Sequence, residues 1–362
     1  MTAIIGFNHV VGDEPWRLLD EGIKNERVSM PLSRRHVLTG LASAGLSGQI
    51  GAAGSIAARR LTPLSLRVGV QLYVIGHAPM PGHAALNKLP DDLATLRRIG
   101  FREVEGAPPG LSAKDYRRQL DHAGLACPSI HVGLDPSVMG ELSLADMSNT
   151  TDYAKIVGAR NLVVAVLPMR DMLARRPDAS ELIGDLKRLS QASTELVKSM
   201  SASDWTAIAQ RLNEAGAKLS RVGLRLGYHN HNAEFTRLPN GRLAYELLVA
   251  ETDPKLVDFE LDLGWARSAG LDPAALLRNY RGRITQLHFK DLAPTPSNAV
   301  SQLNTADMGE GIQNWNSIVD ALKSSSVQHI YVEEEPPYRI SGMESARKAY
   351  RFVQPLLARA GL

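Results

Sequence analysis

From residue 66 onward the sequence alternates short apolar runs with amphipathic ones, and it does so eight times. The strand-like runs are 66–75, 101–105, 127–132, 161–166, 222–229, 256–262, 284–290 and 329–333. Each is short and apolar nearly throughout, as strands buried on both faces must be. Helical patterns lie between them at 91–99, 112–123, 142–157, 180–215, 243–250, 273–280, 315–323 and 343–358. Ser112 reads as an N-cap, and Asp272-Pro273 as a cap followed by proline at the first helical position. Gly100, Gly124, Gly158 and Gly216 read as helix stops. Eight β–α pairs predict an α/β fold, a single (β/α)8 TIM barrel. The runner-up is an open doubly wound sheet. Its dinucleotide-binding form needs a Gly-x-Gly-x-x-Gly turn after the first strand, which is absent here.

Composition narrows the function classes. The 362 residues are 44% hydrophobic and 22% charged, which excludes a disordered or collagen-like chain. A net charge of +3 makes no case for nucleic acid. The lone cysteine, Cys127, excludes an intrachain disulfide and a cysteine-based zinc cluster.

Residues 1–57 read as an address preceding a 58–362 catalytic domain. Ser33-Arg34-Arg35 opens a weakly apolar, glycine-rich run with no Asp, Glu, Lys or Arg before Arg59. A paired arginine ahead of such a run is the twin-arginine export pattern, with Ser55-Ile56-Ala57 as a cleavage site. A first amphipathic helix is the bland alternative, disfavoured by the glycine content. The run is also too weakly apolar for a stable membrane anchor. Met30 is a candidate true start. The expected destination is periplasmic or secreted, with the export machinery as partner.

The late strands end in ionisable residues, although a buried strand end is apolar unless it has a task. His229 and His231 share one face by the strand period of two. So do Glu260 and Asp262, His288 and Lys290, and Glu333 and Glu335. One His, Asp, His and Glu from four successive strands form a mixed nitrogen and oxygen set. That set suits one divalent metal: Mn, Co, Zn or Mg.

These segments resemble the xylose isomerase-like barrel superfamily, in its sugar phosphate isomerase/epimerase group. The carriers are Gly100-Phe101-Arg102-Glu103-Val104-Glu105, Gly227-Tyr228-His229-Asn230-His231, Leu261-Asp262-Leu263-Gly264-Trp265, Leu287-His288-Phe289-Lys290-Asp291, Gly309-Glu310-Gly311 with Trp315, and Val332-Glu333-Glu334. The resemblance implies metal ligands at His229, Asp262, His288 and Glu333, with His231 as the alternative on the fifth strand. Epimerases of the group carry a glutamate where His229 stands, which keeps lyase, hydratase or one-base isomerase chemistry open.

The resemblance implies a divalent-metal-dependent sugar isomerase or epimerase working through an enediolate. The alternatives are a lyase or hydratase on a keto-glycoside, or a non-catalytic sugar-binding protein. Glu333 or Glu335 is the expected base, and Lys290 the group that steadies an oxyanion or returns a proton. Lys290 paired with Asp291 as a structural bridge, and Glu335 as a solvated member of an acidic run, are the bland readings. Tyr73, Glu105, His131, His231 and Trp265 are expected to shape the sugar pocket, with Glu234 bracing the fifth-strand loop. No phosphate cradle is seen, so an unphosphorylated small sugar is expected. A homo-oligomer stays open, and the loop 293–307 is a candidate lid.

Overall fold

A computed structural model describes residues 66–76, 86–136, 142–168, 170–174, 176–178, 186–294, 303–335 and 339–362. The twin-arginine segment and most of the candidate lid lie outside these residues. The chain divides into two units at Arg59–Arg60, and the second holds every described residue.

Eight parallel strands close into a barrel. They are β1 (Arg67–Gln71), β2 (Glu103–Glu105), β3 (Ala126–Val132), β4 (Asn161–Val164), β5 (Arg225–His229), β6 (Val257–Asp262), β7 (Ile284–Phe289) and β8 (His329–Val332). Each pairs with its sequence neighbours, and β1 pairs with β8 to close the ring. Among the described residues, no helix is long and apolar enough to cross a membrane.

The helices form where the amphipathic pattern places them. Ser112 caps Ala113–Ala123 by accepting from the Asp115 N–H, and Gly124 ends it at φ 69°. Asp272 caps Pro273–Asn279 in the same way. The segment 180–215 is a correction. It holds two helices, Leu186–Ser199 and Ala202–Arg221, separated by a capping box between Ser201 and Asp204. Gly216 does not stop the second helix. It lies inside, where a Cβ would come within 2.6 Å of the Leu256 carbonyl oxygen, so glycine is needed for close approach to the sheet.

The pleat turns alternate residues into the barrel. Gly69 pairs with Glu103 and Tyr331, Gln71 with Glu105, His229 with Glu260, and Asp262 with His288. At Gly69 a Cβ would sit 2.7 Å from the Tyr331 ring, so the missing side chain makes room for that ring. At the N-terminal end, Glu103 accepts from Arg67 (3.2 Å) and pairs with His329 (2.7 Å). The apolar residues between these positions point outward and form the main core with the helices.

Candidate active site

The site lies at the C-terminal ends of the strands, where barrels of this kind place their chemistry. Asp262 ends β6, His288 lies on β7, and Lys290, Glu333 and Glu335 follow β7 and β8 directly. Asp262, His288 and Glu333 bring ligand atoms within 4.8 Å of one another. Glu333 Oε2 is 2.6 Å from His288 Nδ1, and Asp262 Oδ2 is 3.8 Å from the same nitrogen. His229 Nε2 approaches from β5, 3.9 Å from Asp262 Oδ2. Three of the four expected ligands therefore converge, and His229 flanks them on the Asp262 side.

Lys290 occupies the middle of the carboxylates. Its Nζ is 2.8 Å from Asp262 Oδ2, 2.9 Å from Glu333 Oε2 and 2.6 Å from Glu335 Oε1. The side chain is fully buried, and its stem runs past Gly264, where a Cβ would lie 2.8 Å from the stem. The Lys290–Asp291 bridge does not form. Asp291 turns away and accepts from the Leu292, Gly309, Gly311 and Gln313 N–H groups and from Trp315 Nε1, all at 2.9–3.1 Å. The Gly-Glu-Gly piece is thus a cradle for Asp291. The exposed-acid reading of Glu335 also fails, because its side chain is only 18% exposed and bonded to Lys290.

A second group lies deeper: His131, His229, Glu260 and His288. Glu260 Oε2 is 3.0 Å from His131 Nε2, 3.0 Å from His229 Nδ1 and 3.2 Å from His288 Nε2. Glu105 Oε2 is 2.7 Å from His288 Nε2 and 3.3 Å from His131 Nε2. Glu105 is fully buried, so it belongs to this layer rather than to an open pocket wall. The sequence places Glu260 on the face of Asp262 without giving it a role. Its signal is the strand period, which puts it on the face of Asp262; the register opposite Gln286 and His229 sets it one layer deeper.

Electrostatics show a site that demands positive charge. Burial disfavours a charged His131, yet Glu105 and Glu260 outweigh it and lift its pKa to about 9. Burial also opposes charge on His288, but Glu260 and Glu333 hold its pKa well above the ordinary value. For Lys290, burial is overcome by Asp262, Glu333 and Glu335. Glu333 is held well below the carboxylate range, against burial, by Lys290 and His288. Glu335 moves the other way: burial lifts it, with Glu333 adding to the rise against the pull of Lys290. Burial and then His288 lower His229. Cys127 is buried, which pushes its thiol up to about 12 and removes it as a nucleophile.

The donor chemistry fits a divalent cation. Three carboxylates face the single Lys290 ammonium, and Asp262, His288 and Glu333 supply the oxygen–nitrogen mixture such an ion takes. His229 would complete the set.

The remaining sequence-based candidates ring this centre. Burial and then the Glu335 and Glu333 charges push the Tyr73 hydroxyl up to about 12, which places it near those carboxylates. His131 is 24% exposed at the end of β3. His231 stands 5.1 Å from the Trp265 ring and 5.0 Å from the His229 ring, centroid to centroid. Trp265 is 3% exposed and packs with Leu292 and Leu303, with Lys290 Nζ 5.7 Å from its ring centroid. It is therefore packed against the loop at the ladder between Asp291–Leu292 and Thr305–Ala306. Glu234 braces the β5 loop as expected, accepting from Tyr228 Oη at 2.7 Å and the His231 N–H at 2.8 Å.

Comparison with known proteins agrees with the fold. The family described as xylose isomerase-like TIM barrel matches residues 93–356, well over half of the chain. An inosose dehydratase from Lactiplantibacillus plantarum is 24% identical over 283 residues, 74% of this chain and 88% of its own. The chain spans about half the length, 54%, of the Bacillus cereus inosose dehydratase 2 it matches at 26% identity. A sugar phosphate isomerase/epimerase structure from Parabacteroides distasonis superposes with a TM-score of 0.59 at 23% identity, covering 84% of this chain and all of that one. The structure of IOLI protein with a binding zinc atom gives 0.52 at 13% identity, covering 81% and 99%.

Proposed function

The chain belongs to the xylose isomerase-like TIM barrel family, and on that premise we propose that it is a divalent-metal-dependent lyase. Its substrate is an unphosphorylated cyclic polyol ketone or keto-sugar, from which it eliminates water. The observation that carries this reading is the convergence of Asp262, His288 and Glu333 around Lys290, beside a carboxylate, Glu335, of raised basicity. The inosose dehydratase relatives and the zinc-binding neighbour support it.

A divalent cation held by Asp262, His288, Glu333 and His229 would supply Lewis acidity toward a carbonyl oxygen and an adjacent hydroxyl. Glu335 removes the proton from the carbon that bears this hydroxyl, which its raised pKa favours. The Lys290 ammonium lies beside Glu335 and stabilises negative charge as it develops on oxygen. His131, protonated at neutral pH, gives its proton to the hydroxyl on the next carbon. The C–O bond breaks, water leaves, and the electron pair from the broken C–H bond forms the new double bond. Atoms balance: one proton arrives at Glu335, one leaves His131, and water carries off the hydroxyl. Low dielectric around the buried Lys290 strengthens each of these interactions.

Replacement of the β5 glutamate by His229 favours elimination. Among the described residues, the carboxylate after β5, Glu234, is taken up by Tyr228 and His231, which leaves Glu335 on the β8 side, whereas epimerisation needs proton exchange on both faces of the carbon. Isomerisation remains the second reading, favoured by Lys290 and Glu335 forming a single 2.6 Å pair that could take and return a proton on one face. Both readings are tested by incubating keto-polyols with the metal-loaded protein in deuterium oxide. Loss of 18 mass units with enone absorbance supports elimination. A product of unchanged composition carrying one deuterium supports isomerisation. Neither product from any keto-sugar overturns both. The Ser33-Arg34-Arg35 pattern supports an extracytoplasmic site for this activity.

A further inference from the structure

We propose that Glu260 is the positioning residue that selects which nitrogen of His229 and of His288 faces the metal. The inference rests on the metal reading above and assigns a task to a residue that reading leaves idle. Glu260 is 1% exposed, so water does not compete for its oxygens. Its Oε1 is taken by Gln286 Nε2 at 2.7 Å, and that amide also donates to Ser129 Oγ at 3.0 Å. Its Oε2 faces three imidazole nitrogens at 3.0–3.2 Å.

An ionised carboxylate only accepts hydrogen bonds. Each nitrogen that bonds Oε2 must therefore carry a hydrogen. A hydrogen on His229 Nδ1 leaves the Nε2 lone pair directed at Asp262. By the same rule His288 carries hydrogens on both nitrogens, Nε2 toward Glu260 and Nδ1 toward Glu333 at 2.6 Å; a cation held by Glu333 and Asp262 would displace the Nδ1 hydrogen and leave the one that Glu260 holds. One oxygen on β6 thus sets the tautomer of ligands on both flanking strands, β5 and β7. Carboxylates often orient metal-binding imidazoles one at a time. Here a single group orients two and ties in His131, whose ring stacks on His288 at 5.4 Å between centroids.

The two ligands do not depend on Glu260 equally. His288 Nε2 has a second acceptor, Glu105, at 2.7 Å. The contacts of His229 Nδ1 include no such alternative. Loss of Glu260 is therefore expected to release His229 first.

The experiment titrates Zn and Co into the full chain against a chromophoric chelator, for the wild type, Glu260→Gln, His229→Gln and the double variant. Glu260→Gln keeps the shape, but its amide group presents donors to the imidazoles. The expected result is a metal affinity about 10–100-fold weaker, an altered Co visible spectrum, and a double variant no weaker than His229→Gln alone. Unchanged affinity and spectrum in a folded Glu260→Gln protein overturn the inference and leave the metal reading standing. A wild type that binds no divalent metal overturns the metal reading and this inference with it. Should Glu260→Gln fail to fold, histidine nitrogen NMR on the zinc-loaded wild type decides: hydrogen on His229 Nδ1 supports the proposal, and hydrogen on Nε2 overturns it.

Discussion

Asp291→Asn should destabilise the barrel far more than its near-identical shape suggests. The Asp291 side chain is buried and accepts five N–H groups, three on Oδ2 and two on Oδ1. An asparagine keeps one accepting oxygen and replaces the other by a donor. The cheaper rotamer retains the three bonds from Gly309, Gly311 and Trp315. It then sets an NH2 group against the Leu292 and Gln313 N–H groups. Each buried donor left without an acceptor costs roughly 1–3 kcal/mol, so the loss is about 2–6 kcal/mol. The surroundings cannot relax, because a Cβ on Gly311 would already lie 2.2 Å from Asp291 Oδ1 and 2.3 Å from the Leu292 carbonyl oxygen. Urea unfolding followed by tryptophan fluorescence measures the change. Wild-type stability of a domain is about 5–15 kcal/mol, so the shift is a large share of the whole. A loss below about 1 kcal/mol would refute the idea that this carboxylate anchors the loop after β7.

Gly264→Ala should crowd the Lys290 stem, lowering stability by about 1–3 kcal/mol and turnover about tenfold or more; full turnover in a folded variant would contradict the placement of Lys290. Burial raises the Glu234 pKa above its unfolded value, so its protonated form favours the fold. That contribution is complete below the unfolded value of 4.5 and is lost as pH rises through the raised folded value. Wild type should therefore lose thermal stability relative to Glu234→Gln as pH climbs from 4.5, and parallel curves would count against it. Replacing Arg34 and Arg35 together by lysine should keep the protein in the cytoplasm, as cell fractionation would show; unchanged export would remove the twin-arginine reading.

The sequence carried the barrel well because strands buried on both faces leave a plain apolar pattern. All eight runs hold strands, but the first is strand only to Gln71 and turns into a 3-10 helix over Leu72–Ile75, which carries Tyr73, while the third begins a residue earlier, at Ala126. The long pattern 180–215 misled because a capping box needs only Ser201 and Asp204, which leave the amphipathic rhythm nearly intact. Gly216 misled for a different reason, since a glycine serving close packing and a glycine ending a helix look alike in one sequence. Within the site, the period of two placed Glu260 and Asp262 on one face but said nothing of depth. Only the register with Gln286 and His229 shows Glu260 in the lower layer. Lys290 and Asp291 are adjacent in sequence, yet the pleat sends them to opposite sides, so adjacency suggested a bridge that geometry forbids.

The central claim is a single divalent metal held at the ends of β5 to β8. Its most direct test is the metal content of the purified protein by elemental mass spectrometry, beside Asp262→Asn and His288→Ala. The account predicts about one equivalent of Mn, Co, Zn or Mg in the wild type, lost from both variants. A protein that holds no divalent metal after loading, or variants that keep it in full, would contradict the account.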